Sequence, residues 1–172
     1  MKKLEFALGL IDKLNDKVGK GVMFLIAALT LMVVFSVVMR YGLNLPTAWS
    51  FEAIGFVFGT YIILAGGYAL LHSSHVTVDI LYSRFSPRVK AALDVFTSVV
   101  FFLFAVGLVW QGWQYAWHSV ELQQTTGSPW NPPVYPVKMM LPIGASLLLL
   151  QGIAKFIRDF MTAIGVGRSK SG

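Results

Sequence analysis

The sequence predicts an all-α integral membrane protein with four transmembrane helices, amphipathic interfacial helices and both termini in the cytoplasm. Hydrophobic residues occupy 56% of the 172 positions and charged residues only 13%, whereas soluble domains carry about a quarter charged residues. The mean hydropathy is +0.67. Four stretches approach the roughly 20 apolar residues that a membrane-spanning helix needs. Composition therefore favours a small multi-pass membrane protein over a soluble enzyme.

The first predicted element is an amphipathic helix over residues 3–19. Apolar residues recur every three or four positions from Leu4 to Val18, and charged residues fill the opposite face. This pattern is typical of a helix that lies in the membrane interface. The alternative is a helix that continues the first span and protrudes from the membrane.

Four uncharged runs within a single membrane domain, residues 1–172, predict the spans. The uncharged runs are residues 21–39, 53–71, 95–117 and 139–154, and the spans predicted around them are 21–39, 49–71, 94–117 and 136–156. The fourth run is the shortest, but Lys138 and Lys155 near its ends can extend it by reaching to the interfaces. A second interfacial segment is expected over residues 76–88. Residues 118–135, rich in Pro and Gly, should form a stiff outer loop.

The orientation follows from the loops that carry Lys and Arg. The N-terminal segment holds five lysines, the loop between spans two and three holds three Lys or Arg, and the C-terminal tail holds four, whereas the other two loops hold only Arg40 and Lys138. Basic residues mark the cytoplasmic side, so both termini are predicted to be cytoplasmic. The same asymmetry accounts for a pI near 9.7 without a nucleic-acid partner.

One face of span two is built from small residues. Glu52, Gly55, Gly59 and Gly66 fall on one helical stripe, and small residues let helix backbones approach closely in membranes. One interpretation is a docking face for a partner, or the outer end of a transport path, with Glu52 at its head. The alternative is internal: the glycines pack within this chain and Glu52 pairs with Arg40.

Span four carries a similar stripe of small and polar residues. It contains Gly144 near one end and Gln151 as a buried polar member, which favours packing specificity rather than chemistry. The residues predicted to pack against a partner subunit are Gly55, Gly59, Gly66, Gly144 and Gln151.

The outer end of span three combines tryptophans on one face with polar side chains on the other. The pattern predicts either an aromatic belt at the membrane surface or a docking surface for another protein. The docking candidates are Glu52, Gln114, His118, Glu121 and Trp130. The interfacial anchors are Arg40, Trp49, Trp110, Trp113, Trp117, Lys138 and Lys155.

Several kinds of chemistry have little support. The chain has no cysteine, which excludes disulfides, thiolate metal sites and a cysteine nucleophile. His72 and His75, with Asp79 close by, lack an evident further ligand, and a haem would need histidines at mid-depth in the membrane. We therefore expect no catalytic residues, no metal and no cofactor in this chain, and no enzymatic activity.

The ordered set of motifs resembles a known family. The set comprises Arg40-Tyr41, Trp49-Ser50-Phe51-Glu52, His75-Val76-Thr77-Val78-Asp79, the loop 127–133, and Pro142-x-Gly144 followed by Gln151. It is similar to the small membrane subunit, DctQ-like, of a tripartite ATP-independent periplasmic (TRAP) transporter over about residues 15–160. Two departures are a single acid after Phe51, where the family often has a pair, and Ser74, where it often has glycine.

The resemblance implies a division of labour in a bacterial inner-membrane transporter. A large DctM-like subunit would carry the substrate and sodium sites, and a periplasmic binding protein would capture the substrate, typically an organic acid. The small subunit would act as a scaffold for the large one, anchored in the lipid bilayer, and help to dock the binding protein. The alternatives are a self-sufficient oligomeric exporter, a membrane anchor for a redox enzyme, and an intramembrane protease.

Overall fold

Four long helices make up most of the chain. A computed structural model describes residues 2–45, 47–72 and 87–164. The helices are α1 (Lys2–Val37), α2 (Ala48–Leu71), α3 (Pro87–Glu121) and α4 (Tyr135–Ala163), and a π-helical turn at Val38–Gly42 extends α1. Each helix is long and apolar enough to cross a membrane. The predicted fold class, an all-α protein with four spans, is confirmed.

The two segments predicted separately at the N-terminus form one unbroken helix. At 1.5 Å per residue, the 36 residues of α1 reach about 54 Å, well beyond the roughly 30 Å hydrocarbon core. The helix continues through Gly19, and this glycine lets α1 pack closely against α2, since a Cβ there would overlap the ring of Tyr68. The continuation alternative therefore describes the helix, and its placement on a membrane surface stays a prediction.

Helix α4 is the centre of the bundle. In its most apolar 18-residue window 39% of the residues are buried, against 6% in each of the other three helices. It packs mainly against α2 and α3, while α1 packs mainly against α2. Small residues make the close contacts possible, since a Cβ at Gly144 would overlap Ile63 and one at Gly152 would overlap the Phe101 ring.

Large apolar side chains cover the outside of the bundle. Phe24, Phe51, Phe96 and Leu103 are each more than 70% exposed. Contiguous exposed apolar surface of this kind marks contact with membrane or protein. The core between the helices is correspondingly thin and rests on small residues such as Ala105, Ala145 and Ala154.

The connections differ from the prediction at two places. Helix α3 runs to Glu121 and α4 begins at Tyr135, so the connecting loop is 122–134 rather than 118–135. We call the end of the bundle that carries this loop the loop end. Most of the predicted segment 76–88, together with His75, lies outside the described residues, and its last two residues begin α3.

Candidate docking surfaces and polar clusters

The loop at the loop end is closed by its own hydrogen bonds. The Val134 backbone N–H donates to the Gln124 carbonyl at 2.9 Å and the Thr126 N–H to the Pro132 carbonyl at 3.2 Å. Gly127 takes a φ of +70°, which glycine adopts without strain, and its N–H donates to Asn131 Oδ1 at 3.0 Å. These contacts give the loop a single compact shape.

Aromatic contacts fix this loop to the helices beneath it. The Trp130 ring meets Trp49 of α2 edge-on, with the centroids 6.3 Å apart. Trp49 in turn lies 5.9 Å from Phe35 of α1. Trp49, predicted as a membrane anchor, and Trp130, predicted as a docking residue, therefore form one aromatic chain.

Lys138 also ties the loop to the bundle. Its ammonium donates to Gln124 Oε1 at 2.7 Å and lies 4.2 Å from the centre of the Tyr115 ring. Lys138 is predicted to reach to the membrane interface, whereas in the structure its ammonium group joins α3, α4 and the loop. A hydroxyl cluster that the sequence did not reveal joins α1 to the start of α2: Ser50, only 1% exposed, bonds to Ser36 and to Thr47.

Glu52 lies one turn into α2, where one of its carboxylate oxygens is buried. Its Oε2 is buried and has no hydrogen bond within the described part of the chain. The predicted pairing with Arg40 is absent: among the described residues no ion pair joins the two, and Arg40 is exposed. A buried acceptor without a donor is costly, which makes Glu52 an unusual feature of this surface.

The glycine stripe of α2 divides into an open and a packed half. A Cβ at Gly55 or Gly59 would meet no atom within 4 Å, whereas Gly66 faces Leu148 of α4. Gly144 is buried against Ile63 of α2. Gly66 and Gly144 therefore already pack against other helices of this chain. Gly55 and Gly59, which we call the open glycines, remain available to a partner subunit.

Gln151 belongs to a polar network that joins α1 to α4. Its Oε1 accepts from Asn15 Nδ2 at 2.9 Å, and its Nε2 donates to Asp12 Oδ1 at 3.0 Å. Arg158 donates to both carboxylate oxygens of Asp12. Gly67 of α2 makes room, since a Cβ there would overlap the Asn15 amide. The sequence indicated the buried glutamine but missed its partners, although Asn15 stands out as an uncharged polar residue on the apolar face.

Lys155 is paired with acids from two helices. Its ammonium lies 3.1 Å from Asp94 of α3 and 2.7 Å from Asp159 of α4. These groups border a cavity of about 140 Å³ between α2, α3 and α4. Lys155 was predicted as an interfacial anchor, and in the structure it joins α3 to α4 at the end of the bundle opposite the loop.

The tryptophans and polar residues at the end of α3 form one surface rather than two faces. The Trp117 indole N–H donates to Glu121 Oε1 at 2.8 Å. This bond joins the tryptophan face to the polar face, which are predicted to be separate. Trp110 lies outside this groove and is 66% exposed. We call the groove the tryptophan–glutamate surface; it is lined by Trp113, Gln114, Trp117, His118 and Glu121.

Metal ligands do not cluster in the described residues. Within residues 2–45, 47–72 and 87–164, no three His, Cys, Asp or Glu side chains come together. His72 stacks on Tyr68, with ring centroids 4.2 Å apart, and its Nδ1 lies 3.2 Å from the Tyr68 carbonyl.

Four apolar helices, thinly packed and apolar on the outside, define a multi-pass membrane protein. The family model described as "Tripartite ATP-independent periplasmic transporters, DctQ component" matches residues 29–162, and the chain belongs to this family. The "C4-dicarboxylate TRAP transporter small permease protein DctQ" of Vibrio cholerae serotype O1 is 25% identical over 95 residues. The match covers 55% of this chain and 40% of that relative, so the chain matches less than half of the relative's length.

Proposed function

We propose that this chain is the small permease subunit of a sodium-driven TRAP transporter that imports an organic acid across the bacterial inner membrane. Family membership supports the subunit assignment, and the name of the Vibrio relative suggests C4-dicarboxylates as the class of solute. The large DctM-like subunit would carry the substrate and sodium sites. Both termini would be cytoplasmic, as the distribution of Lys and Arg predicts.

The observation that carries the scaffold role is the open half of the glycine stripe. Gly55 and Gly59 face open space, and the buried Glu52 Oε2 on the same stripe has no donor among the residues that the structure describes. In lipid, small residues mark places where another helix packs closely. A helix of the large subunit seated on the open glycines would use this face, which the chain itself leaves empty.

The polar groups inside the bundle support the same division of labour. Gln151 and Asn15 are 2% and 1% exposed and bond to each other. Lys155 is held by two carboxylates. These groups stabilise contacts between helices and leave little with which to bind a carboxylate or an ion. Transport chemistry is therefore assigned to the partner, and this chain acts as scaffold without enzymatic activity.

The loop end supports a docking role for the periplasmic binding protein. The loop 122–134 is held by its own hydrogen bonds and by the Trp130–Trp49 contact. A surface with fixed shape loses little entropy when a partner binds. In the predicted orientation it faces the periplasm, where the binding protein arrives with its solute.

Co-purification with the large subunit tests the scaffold proposal. The double variant Gly55→Leu with Gly59→Leu should reduce recovery of the large subunit several-fold, because two isobutyl groups fill the open face. The matched control is Gly21→Leu with Gly107→Leu, two glycines whose Cβ positions also face open space and which lie on other helices. Equal recovery from both double variants would remove the proposed interface.

A further inference from the structure

Two parallel tryptophans form an exposed aromatic shelf on the last turns of α3. The rings of Trp113 and Trp117 are inclined by 15°, with their centroids 6.2 Å apart. Their exposed fractions are 51% and 49%, although a tryptophan has much apolar area to bury. Together with the polar side chains beside them they border an open groove of about 320 Å³.

A carboxylate is held at the end of this shelf. Glu121 Oε1 accepts the Trp117 indole N–H at 2.8 Å, and Oε2 lies 3.9 Å from His118 Nδ1. The Glu121 side chain is 59% exposed, and within the described residues no Lys or Arg pairs with it. The indole bond fixes the carboxylate while leaving acceptor capacity directed outward.

The groove has the chemistry of an arginine site. A guanidinium stacks on aromatic faces and binds a carboxylate through two parallel N–H donors, and cation–π attraction is strongest over tryptophan. A flat ring next to a fixed carboxylate matches both properties. The groove lining contains no Lys or Arg, so it does not favour a lipid phosphate. A lipid ammonium group shares the positive charge of arginine but lacks its planar fork of paired donors.

The position along α3 suits a water-soluble partner. Glu121 lies 27 residues beyond Asp94, or about 40 Å along the helix axis, and Asp94 pairs with Lys155 at the opposite end of the bundle. A bilayer with its headgroups is about 40–45 Å thick. When Asp94 lies at one surface, Glu121 reaches the other. Trp117, four residues earlier, then lies about 6 Å deeper, in the headgroup region that a long arginine side chain can enter from the water.

We propose that the tryptophan–glutamate surface binds an arginine side chain of the periplasmic binding protein. The inference rests on the proposed function, because it names the chemistry of the docking contact at the loop end. The guanidinium stacks on the Trp117 indole and donates to Glu121, and Trp113 lines the groove deeper along α3. His118 and Gln114 border the groove and limit how the arginine enters.

The experiment measures the affinity of the binding protein for the assembled transporter in nanodiscs. The probe is the binding protein encoded beside the large subunit, titrated onto the complex of this chain with that subunit. Glu121→Gln keeps the shape and removes the charge, so it should weaken binding about tenfold. Trp117→Leu should weaken it by a similar factor, and high salt should reduce the difference between Glu121→Gln and the unmodified chain.

Controls separate a local effect from misfolding. Trp110→Leu removes an exposed tryptophan of the same helix outside the groove and should leave the affinity unchanged within about twofold. All variants must co-purify with the large subunit as the unmodified chain does. Single Arg→Gln changes on the binding protein should then identify one arginine that contacts Glu121. Its loss should weaken binding to the unmodified chain but cause no further weakening when combined with Glu121→Gln, as a double-mutant cycle detects.

The outcomes distinguish this inference from the proposed function. If the binding protein docks but neither Glu121→Gln nor Trp117→Leu weakens it, the arginine contact is overturned while the docking role stands. If these variants change bound phospholipid, seen by native mass spectrometry, and not protein affinity, the groove is a headgroup site and the inference also fails. If the unmodified assembly does not bind the protein at all, both the docking role and the inference are overturned.

Discussion

Asn15 of α1 donates its side-chain amide to Gln151 of α4 at 2.9 Å, across 136 positions of sequence. Both side chains are almost fully buried, with 1% and 2% of their surface exposed. Buried amides need partners, so this bond fixes how the N-terminal part of α1 lies against the centre of the bundle. The N-terminal segment is thereby held to the rest of the fold.

Breaking this bond from one side should destabilise the chain. Gln151→Leu leaves the buried Asn15 amide with only the Ile11 carbonyl as acceptor and removes a donor to Asp12. Incomplete satisfaction of buried polar groups costs about 1–3 kcal/mol. Thermal unfolding in detergent should show a lower midpoint. Gln111→Leu, an exposed glutamine of α3, is the matched control and should leave the midpoint unchanged; equal shifts would contradict the role of the network.

Gly67→Ala tests the space that the network needs. The added methyl group would overlap the Asn15 amide and press on the Leu147 backbone, so the α1–α2–α4 junction must shift. We expect a lower unfolding midpoint, partly restored by combining Gly67→Ala with Asn15→Ala. Gly107→Ala, where the methyl group meets open space, should be neutral or slightly stabilising through helix propensity. A neutral Gly67→Ala would show that the junction is loose.

Glu52 should destabilise the isolated chain. Its buried Oε2 has no donor within the described residues. Glu52→Met fills a similar volume without a polar group, so it should raise the unfolding midpoint of the isolated chain. The free energy of unfolding should increase by an amount on the order of 1 kcal/mol. Glu121→Met is the matched control, because that carboxylate is exposed and bonded to Trp117. A fall in the midpoint for Glu52→Met alone would mean that the carboxylate stabilises the fold.

The chain by itself should not transport solute. Proteoliposomes containing only this chain should show no sodium-dependent uptake of radiolabelled succinate, a C4-dicarboxylate. Addition of the large subunit during reconstitution and of the binding protein outside should be required for uptake. Succinate flux through the chain alone would contradict the scaffold role and favour the self-sufficient exporter.

The helices were predictable because their signals are local. Uncharged runs of about 20 residues can only be accommodated in a membrane as helices, and α2 was placed at 49–71 against an observed Ala48–Leu71. The helix predicted over 3–19 is the first half of α1, because isolated glycines such as Gly19 and Gly21 cost a helix only about 1 kcal/mol each and do not end it.

The site was only partly predictable, since it depends on contacts between distant residues. Helical spacing identified the glycine stripe, but only packing shows that Gly55 is open while Gly144 is filled by Ile63. The pairing of Lys155 with Asp94 joins two helices and has no local signature. The Trp117–Glu121 bond spans one helical turn, and the four-residue spacing could have revealed it.

Cross-linking from the open face of α2 tests the central claim most directly. Because the chain contains no cysteine, Gly55→Cys and Gly107→Cys each provide one attachment point for a maleimide–benzophenone, and both positions face open space. In membranes that contain the large subunit, light should link it to the probe at position 55 and not at position 107. A large-subunit adduct at 107 with none at 55 would contradict the account.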